Sequence, residues 1–274
     1  MRFALLAAVS LALATPAFAA APIATWEFHD TLAADQLGQP ALTRVDPAGV
    51  SRFSTESVFG ESRVVWSFAG GTMPATAQPG LSVGTRDLLD PHHYTLDMVF
   101  KFAAHENVWR RLVDVGNGLS EEGLYVGPTN NLELFPAGRS AAAIAPDVFH
   151  HLVLTVDGGR ASTYVDGKLL CSATTPVLQL DQQDNPGHLL NLFLGRARQS
   201  DTLERGNNAC SSGSIALLRL WNGVLSPEDI GQLAAHPFPD STATPLPAAW
   251  TSLSAVVIAT AAALFARRRR NLPA

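Results

Sequence analysis

The clearest pattern in the chain is an alternation of apolar and polar residues between positions 94 and 102. Apolar residues stand at every second position of this stretch: Tyr94, Leu96, Met98, Phe100 and Phe102. Polar residues fill the positions between them, except at Val99. Successive side chains of a β-strand point to opposite faces, so this period of two predicts a half-buried strand.

A second β-prone stretch spans residues 149–171. The runs Leu152–Val156 and Ala161–Val165 are rich in branched and aromatic residues, and the dipeptide Asp166-Gly167 follows the second run. Asp-Gly between β-prone runs indicates a tight hairpin, because both central residues of such a turn take positive φ. The stretch therefore predicts a three-stranded meander.

Several further segments have the composition of short strands. They are residues 23–28, 64–68, 111–115, 123–126, 132–135, 189–194 and 214–221. Short strands separated by Gly and Pro are typical of β-sandwiches and jelly rolls. The predicted fold class is all-β, with residues 21–238 forming a two-sheet antiparallel sandwich.

One short helix is predicted after the last strand. Ser226 is a suitable N-cap, Pro227 fits the first turn, and Asp229 stands three residues after the cap. This arrangement resembles a capping box. Ile230 and Leu233 give the helix one apolar edge.

The N-terminal end has the pattern of a signal peptide over residues 1–20. Arg2 is a basic start, residues 3–14 are apolar, and Ala17-Phe18-Ala19 is a small-x-small cleavage site. This order is typical of a secretory signal that is removed after export.

The C-terminal end has the pattern of a membrane anchor. Residues 239–247 form a Pro-rich linker, and residues 248–266 form an uncharged apolar run. As a helix this run would measure about 28 Å, near the thickness of a bilayer core. A stop-transfer cluster begins the basic tail, residues 267–274, and consists of Arg267, Arg268, Arg269 and Arg270. The pattern predicts a transmembrane helix with a cytoplasmic tail.

Composition limits the partners of the mature chain. The formal net charge is −5, and no basic stripe occurs before the tail, so no nucleic-acid partner is predicted. Cys171 and Cys210 are the only cysteines. In an exported protein they favour a disulfide over two free thiols. Such a bond would close a loop of about 40 residues and stabilise the fold by roughly 3–4 kcal/mol.

Several segments, taken in order, resemble LamG-type, concanavalin A-like lectin/glucanase domains. They are Trp26-Glu27-Phe28, residues 94–102, residues 149–157, Tyr164-Val165-Asp166-Gly167-Lys168, Leu194-Gly195-Arg196 and residues 214–226. The resemblance covers about residues 23–236 and implies a jelly-roll sandwich that binds or acts on carbohydrate. Ala216 departs from the pattern, because the family usually has Asp at that position.

The C-terminal end is similar to the PEP-CTERM class of bacterial sorting signals, in its VPLPA-type variant. Thr244 replaces Val, while Pro245, Leu246, Pro247 and Ala248 match. The resemblance implies recognition by an exosortase-like membrane transpeptidase, cleavage near the motif, and transfer to the cell envelope or surface, or release. The alternative is a plain single-span anchor.

The sequence contains no arrangement that predicts catalysis. β-Glucanases with this type of sandwich carry Glu-x-Asp-x-x-Glu on one strand, a run that is absent here. Glu121 and Glu122 are adjacent and would face opposite ways on a strand. Adjacent His150 and His151 would also diverge, so they do not predict a metal site. Trp109 follows a polar loop and is the tryptophan expected to be exposed.

Calcium is the one cofactor that the resemblance implies, through acidic side chains on a rim of the sandwich. The candidate ligands are Asp114, Asp184 in the loop 181–185, and Asp201. Ca²⁺ requires several oxygen ligands. The alternative is that each of these residues is a solvated turn residue.

Together these features predict an exported, surface-directed, non-catalytic binding module for a glycan or extracellular polymer. Two alternatives stay open: an enzyme that acts on polysaccharide, and a structural coat or matrix protein without a specific ligand.

Overall fold

A computed structural model describes residues 21–70, 77–104, 108–195 and 211–238. The chain divides into two compact units, Met1–Pro237 and Phe238–Ala274, and the strands and helix described below lie in the first. In chain order the strands are β1 (Ala24–Trp26), β2 (Thr43–Val45), β3 (Ser51–Val58), β4 (Glu61–Phe68), β5 (Gly80–Gly84), β6 (His93–Phe102), β7 (Arg110–Asp114), β8 (Gly123–Val126), β9 (Asn131–Phe135), β10 (Gly138–Ala143), β11 (His150–Asp157), β12 (Arg160–Val165), β13 (Lys168–Thr174), β14 (Leu189–Leu192) and β15 (Gly213–Trp221). Helix α1 (Pro227–Ala235) follows them.

The strands form two antiparallel sheets, which confirms the predicted all-β sandwich. The eight-stranded sheet has the order β13-β12-β11-β6-β15-β4-β3, and β1 pairs with β15 beside this path. The seven-stranded sheet has the order β10-β9-β8-β7-β14-β5-β2. Apolar side chains from both sheets make one core, with Leu96 and Phe100 of β6 opposite Leu124 and Leu134 of the smaller sheet.

Strand β6 is buried on both faces, so the prediction of a half-buried strand is wrong for its outer face. Asp97 points away from the core and is fully buried. Its Oδ2 accepts hydrogen bonds from Nε and Nη2 of Arg219, at 2.9 and 2.5 Å. Nε2 of His151 lies 2.8 Å from Oδ1, at an angle outside hydrogen-bond geometry. The ion pair with Arg219 therefore offsets the free-energy cost of burying the Asp97 carboxylate.

The predicted meander and its Asp-Gly turn are confirmed. Strand β12 ends at Val165 and β13 begins at Lys168. Between them, Asp166 has a φ of 50° and Gly167 a φ of 77°. Two positive φ values match the turn that right-handed strand twist favours.

Helix α1 also begins as predicted. The Ser226 hydroxyl accepts a hydrogen bond from the backbone N–H of Asp229, whose carboxylate accepts one from the backbone N–H of Ser226. Ile230 packs with Val153 and Trp221 on the outer face of the eight-stranded sheet. This contact fixes the helix on the sheet.

The predicted targeting segments lie outside the described residues. They are the signal peptide 1–20, the linker 239–247 with its sorting motif, the span 248–266 and the tail 267–274. Among the residues that are described, no helix has the length and apolarity needed to span a bilayer.

Candidate functional site

A polar cavity lies between two loops at one rim of the sandwich. One loop follows β7, and the other precedes β14. The cavity has a volume of about 440 Å³ and is lined by Gly116, Ser120, Glu122, Val177, Gln182, Gln183 and Asp184. We call it the rim pocket.

The carboxylate of Asp114 shapes the first loop, residues 115–122. It accepts hydrogen bonds from the backbone N–H groups of Gly116 at 3.2 Å and Gly118 at 2.8 Å. It also accepts one from Nδ2 of Asn191 at 3.1 Å and pairs with Nη1 of Arg111 at 3.2 Å. The predicted calcium ligand Asp114 is thus fully buried and bonded to protein groups.

A buried arginine and tyrosine hold the end of the same loop. Nε of Arg111 donates to the Tyr125 hydroxyl at 2.7 Å, and its Nη2 donates to the Ser120 carbonyl at 2.8 Å. The Tyr125 hydroxyl donates to the Glu121 carbonyl at 2.8 Å. Burial raises the pKa of Tyr125 further above its ordinary value. These bonds fix the backbone immediately before Glu122.

The second loop is positioned by Asn185, which is buried. Its side-chain amide donates to the carbonyls of Leu180 at 3.2 Å and Leu189 at 2.9 Å and accepts from the Leu189 N–H at 2.8 Å. Leu178 and Leu180 anchor the loop in the core. Asp184 and Gln183 are therefore presented to the rim pocket from a fixed backbone.

Gly116 lies where the two loops meet. A Cβ at this position would lie 2.6 Å from Oγ of Ser120 and 3.5 Å from Oδ2 of Asp184. A larger residue would therefore require the Ser120 hydroxyl to move, whereas the distance to Asp184 is an ordinary van der Waals contact. The same measurement places the Asp184 carboxylate against the loop that Asp114 shapes.

The charge of the rim pocket is unbalanced. Within the described part of the chain, Glu122 and Asp184 have no ion pair or hydrogen bond, and the pocket lining includes no basic side chain. The cavity therefore offers free carboxylate and amide oxygens to hydroxyl donors or cations.

Calcium fits this donor set only in part. Hard cations take six to eight oxygens, and Glu122, Asp184 and the two glutamines could supply some of them. Over the described ranges, no group of three or more His, Cys, Asp or Glu side chains is placed to hold a metal. Asp201 lies outside those ranges. A calcium site with Asp114, Asp184 and Asp201 as ligands stays a prediction.

A second depression lies on the outer face of the eight-stranded sheet. It has a volume of about 320 Å³, and its lining includes Arg52, Glu56, Lys101 and Ser214. Glu56 pairs with Lys101 and accepts a hydrogen bond from the Ser214 hydroxyl at 2.5 Å. The rim pocket is the stronger candidate, because its carboxylates have no such partners in the described ranges.

The structure also places the other residues considered from the sequence, which are the two adjacent histidines and Cys171. His150 and His151 diverge as expected, but both are buried. Nδ1 of His150 lies 2.9 Å from Oδ2 of Asp166.

Cys171 is buried, and burial raises the pKa of its thiol. It has no disulfide partner among the described residues, and Cys210 lies outside them, so the disulfide stays a prediction.

A family model described as the concanavalin A-like lectin/glucanases superfamily, Laminin_G_3, matches residues 76–231, more than half of the chain. The chain belongs to this superfamily. The match confirms the lectin/glucanase resemblance, whereas the sorting-signal resemblance stays a prediction. No curated protein sequence matches the chain.

Several solved structures are similar to the chain. A botulinum neurotoxin type C structure is 9% identical with a TM-score of 0.50, over 77% of this chain and 50% of that one. Domain 4 of the arabinanase AbnA from Geobacillus stearothermophilus, in complex with arabinotriose, is 13% identical with a TM-score of 0.46, over 78% and 98%. Trypanosoma rangeli sialidase is 16% identical with a TM-score of 0.44, over 70% and 32%, so this chain spans about a third of its length.

Proposed function

We propose that residues 21–238 form a non-catalytic glycan-binding module and that the rim pocket holds the sugar. The observation that carries this proposal is the pair of carboxylates, Glu122 and Asp184, that line one cavity without a partner among the described residues. Carboxylates accept hydrogen bonds from sugar hydroxyls, and glutamine amides both donate and accept. A volume of about 440 Å³ is within the range of small-ligand pockets. Membership of a superfamily described by its lectins and glucanases supports a carbohydrate ligand.

A second candidate function is polysaccharide hydrolysis, because glycosidases also use two carboxylates. One of the two must act as a general acid, and burial in an apolar site is the usual means of keeping such a carboxyl protonated. Glu122 is exposed, and Asp184 is only half-buried. Neither has the apolar enclosure on which a general acid depends, and this favours binding over catalysis.

We further propose that this module works at the cell envelope or surface after export across the inner membrane. The sequence patterns of residues 1–20 and 245–270 support this location and an exosortase-like partner. Mass spectrometry of the mature protein from its own cell tests it. A chain that keeps residues 1–20, or that is found in the cytosol, would contradict export.

The experiment for the rim pocket is a binding assay on a panel of soluble polysaccharides, with Ca²⁺ and with EDTA. Glu122→Gln and Asp184→Asn remove charge with little change in size, and each is expected to weaken binding about three- to tenfold, as loss of one or two hydrogen bonds would. Glu61→Gln, an exposed carboxylate on the β3–β4 hairpin, is the matched control.

Three results of this experiment are informative. Binding that both pocket variants weaken and the control does not supports the proposal. Release of reducing sugar by the wild type, lost in Glu122→Gln, would establish hydrolysis instead. Failure of the wild type to bind any polysaccharide, with or without Ca²⁺, would contradict both.

A further inference from the structure

Three aromatic rings meet on the outer face of the seven-stranded sheet. Trp109 immediately precedes β7, Tyr125 lies in β8 and Phe135 ends β9. Leu124 and Leu134, the residues before Tyr125 and Phe135, belong to the core. By the alternation of side chains along a strand, the tyrosine and phenylalanine face away from it. We call Trp109, Tyr125 and Phe135 the aromatic ledge.

The rings of the aromatic ledge support one another edge to face. The Trp109 centroid lies 5.8 Å from that of Tyr125, at 88° between the ring planes, and 6.0 Å from that of Phe135, at 73°. Tyr125 and Phe135 are 6.4 Å apart at 78°. Such T-shaped contacts are the favoured geometry of aromatic pairs, so each ring is held by two others.

Two of the three aromatic side chains of the ledge are partly exposed to solvent. Tyr125 is buried at the centre, while Trp109 and Phe135 are only half-buried. The other three described tryptophans, Trp26, Trp66 and Trp221, are at most 4% exposed. Trp109 is thus the one tryptophan in the described ranges with appreciable access to solvent. A fixed aromatic surface of this kind is a feature of ligand sites.

The charges next to the ledge are already paired. The Arg111 guanidinium lies 5.1 Å from the centre of the Tyr125 ring, and it pairs with the buried Asp114. Glu133, directly opposite Tyr125 on β9, pairs with Arg139. Among the described residues, the ledge therefore presents aromatic rings to a ligand and no unpaired charged side chain. This combination favours a neutral ligand with an apolar face over an ionic one.

A sugar ring has this chemistry, because its C–H groups form an apolar face and its hydroxyls project from the edge. The ledge is also continuous with the rim pocket. The Tyr125 hydroxyl bonds the carbonyl of Glu121, whose neighbour Glu122 lines that pocket. Neighbouring units of one polysaccharide can therefore meet stacking surface on one side of this loop and polar groups on the other.

We propose that Trp109 and Phe135 form a stacking subsite for the sugar rings of a neutral polysaccharide. This inference rests on the proposed glycan-binding function and narrows it. It assigns the ligand class as an uncharged polymer rather than an isolated ion or an acidic sugar.

The test uses the full chain and soluble neutral polysaccharides: arabinan, xylan and a mixed-linkage β-glucan. Trp109→Ala and Phe135→Ala are each expected to weaken binding roughly three- to tenfold, on the scale of one aromatic contact. Val148→Ala, which shortens an exposed apolar side chain outside the ledge, is the control and should bind like the wild type. Thermal unfolding of each variant identifies any that fails to fold.

A second measurement uses the unaltered protein and one conservative variant, so it does not depend on the folding of the alanine variants. Acrylamide quenching of tryptophan fluorescence, compared between the wild type and Trp109→Phe, isolates the contribution of Trp109. Bound polysaccharide is expected to protect this contribution from the quencher.

The outcomes separate the two proposals. Protection of Trp109, with weaker binding by the ledge variants, supports the subsite. Polysaccharide binding that leaves Trp109 equally quenched, and that Trp109→Ala and Phe135→Ala do not weaken, overturns the subsite and leaves the rim pocket standing. Absence of binding by the wild type overturns both.

Discussion

Among single substitutions, we expect a change at Asp97 to destabilise the larger sheet most clearly. Asp97→Asn keeps the shape of the side chain and removes the negative charge that faces Arg219 and His151. Removing one partner of a buried ion pair costs about 3–5 kcal/mol, because the other charge stays buried without compensation. The Arg219 side chain is 7% exposed and so keeps a little hydration. We therefore expect about 3 kcal/mol, a large part of the 5–15 kcal/mol typical of a domain.

Urea unfolding, followed by the fluorescence of the buried tryptophans, measures this effect. With a denaturant dependence of about 2–3 kcal/mol per molar urea, a loss of 3 kcal/mol lowers the midpoint by about 1–1.5 M. Glu61→Gln is the matched control, since it breaks a 2.6 Å pair with Arg63 in which the Glu61 side chain is 68% exposed. An exposed pair contributes about 0–1 kcal/mol, so the midpoint should fall by less than about 0.5 M.

The comparison can refute the reasoning in two ways. Equal midpoint shifts for Asp97→Asn and Glu61→Gln would show that burial of the Asp97 pair has no special energetic weight. The double variant Asp97→Asn with Arg219→Met removes both charges and should recover part of the loss, as buried pairs replaced by apolar groups do. A double variant that is less stable than Asp97→Asn alone would show that packing of the arginine, not its charge, dominates.

Three further predictions concern the hairpin and the helix that flank this sheet. Gly167→Ala places a side chain at a φ of 77° and should lower stability by about 1–2 kcal/mol, seen as a lower thermal midpoint. Ser226→Ala removes the N-cap that bonds Asp229 and should cost about 1 kcal/mol in urea unfolding, whereas Ser226→Asn should restore most of it. Although burial opposes a charge on His150, its bonds to Asp166 and a backbone carbonyl raise its pKa above the ordinary 6.5. The stability it adds is full below pH 6.5 and declines as pH rises through the raised pKa. His150→Gln should flatten that decline in unfolding measured from pH 6 to 8, and an unchanged profile would contradict the assignment.

The central strands could be predicted because burial imposes a regular pattern on them. Leu96, Met98 and Phe100 must all meet the opposite sheet, and the Asp-Gly turn marks where β12 reverses. Strands β2, β3, β5 and β10 were missed, and all of them except β5 stand at the edge of a sheet. Edge strands are commonly polar and partly exposed, which protects them from pairing with other chains. The sequence of β3, Ser51–Val58, accordingly shows no strict alternation.

The site was harder to predict, because its parts come together only through strand pairing. The loop 181–185 was recognised from its oxygen donors, but Glu122 was considered only as a catalytic acid, and nothing near it in sequence shows that it shares a cavity with Asp184. Pairing of β7 with both β8 and β14 brings these loops to one rim. Trp109 illustrates the same limit. Its exposure was expected from the polar loop before it, whereas its contacts with Tyr125 and Phe135 depend on the order of β7, β8 and β9. A local pattern can mark a residue as unusual, but the neighbours that give it a function are set by the sheet.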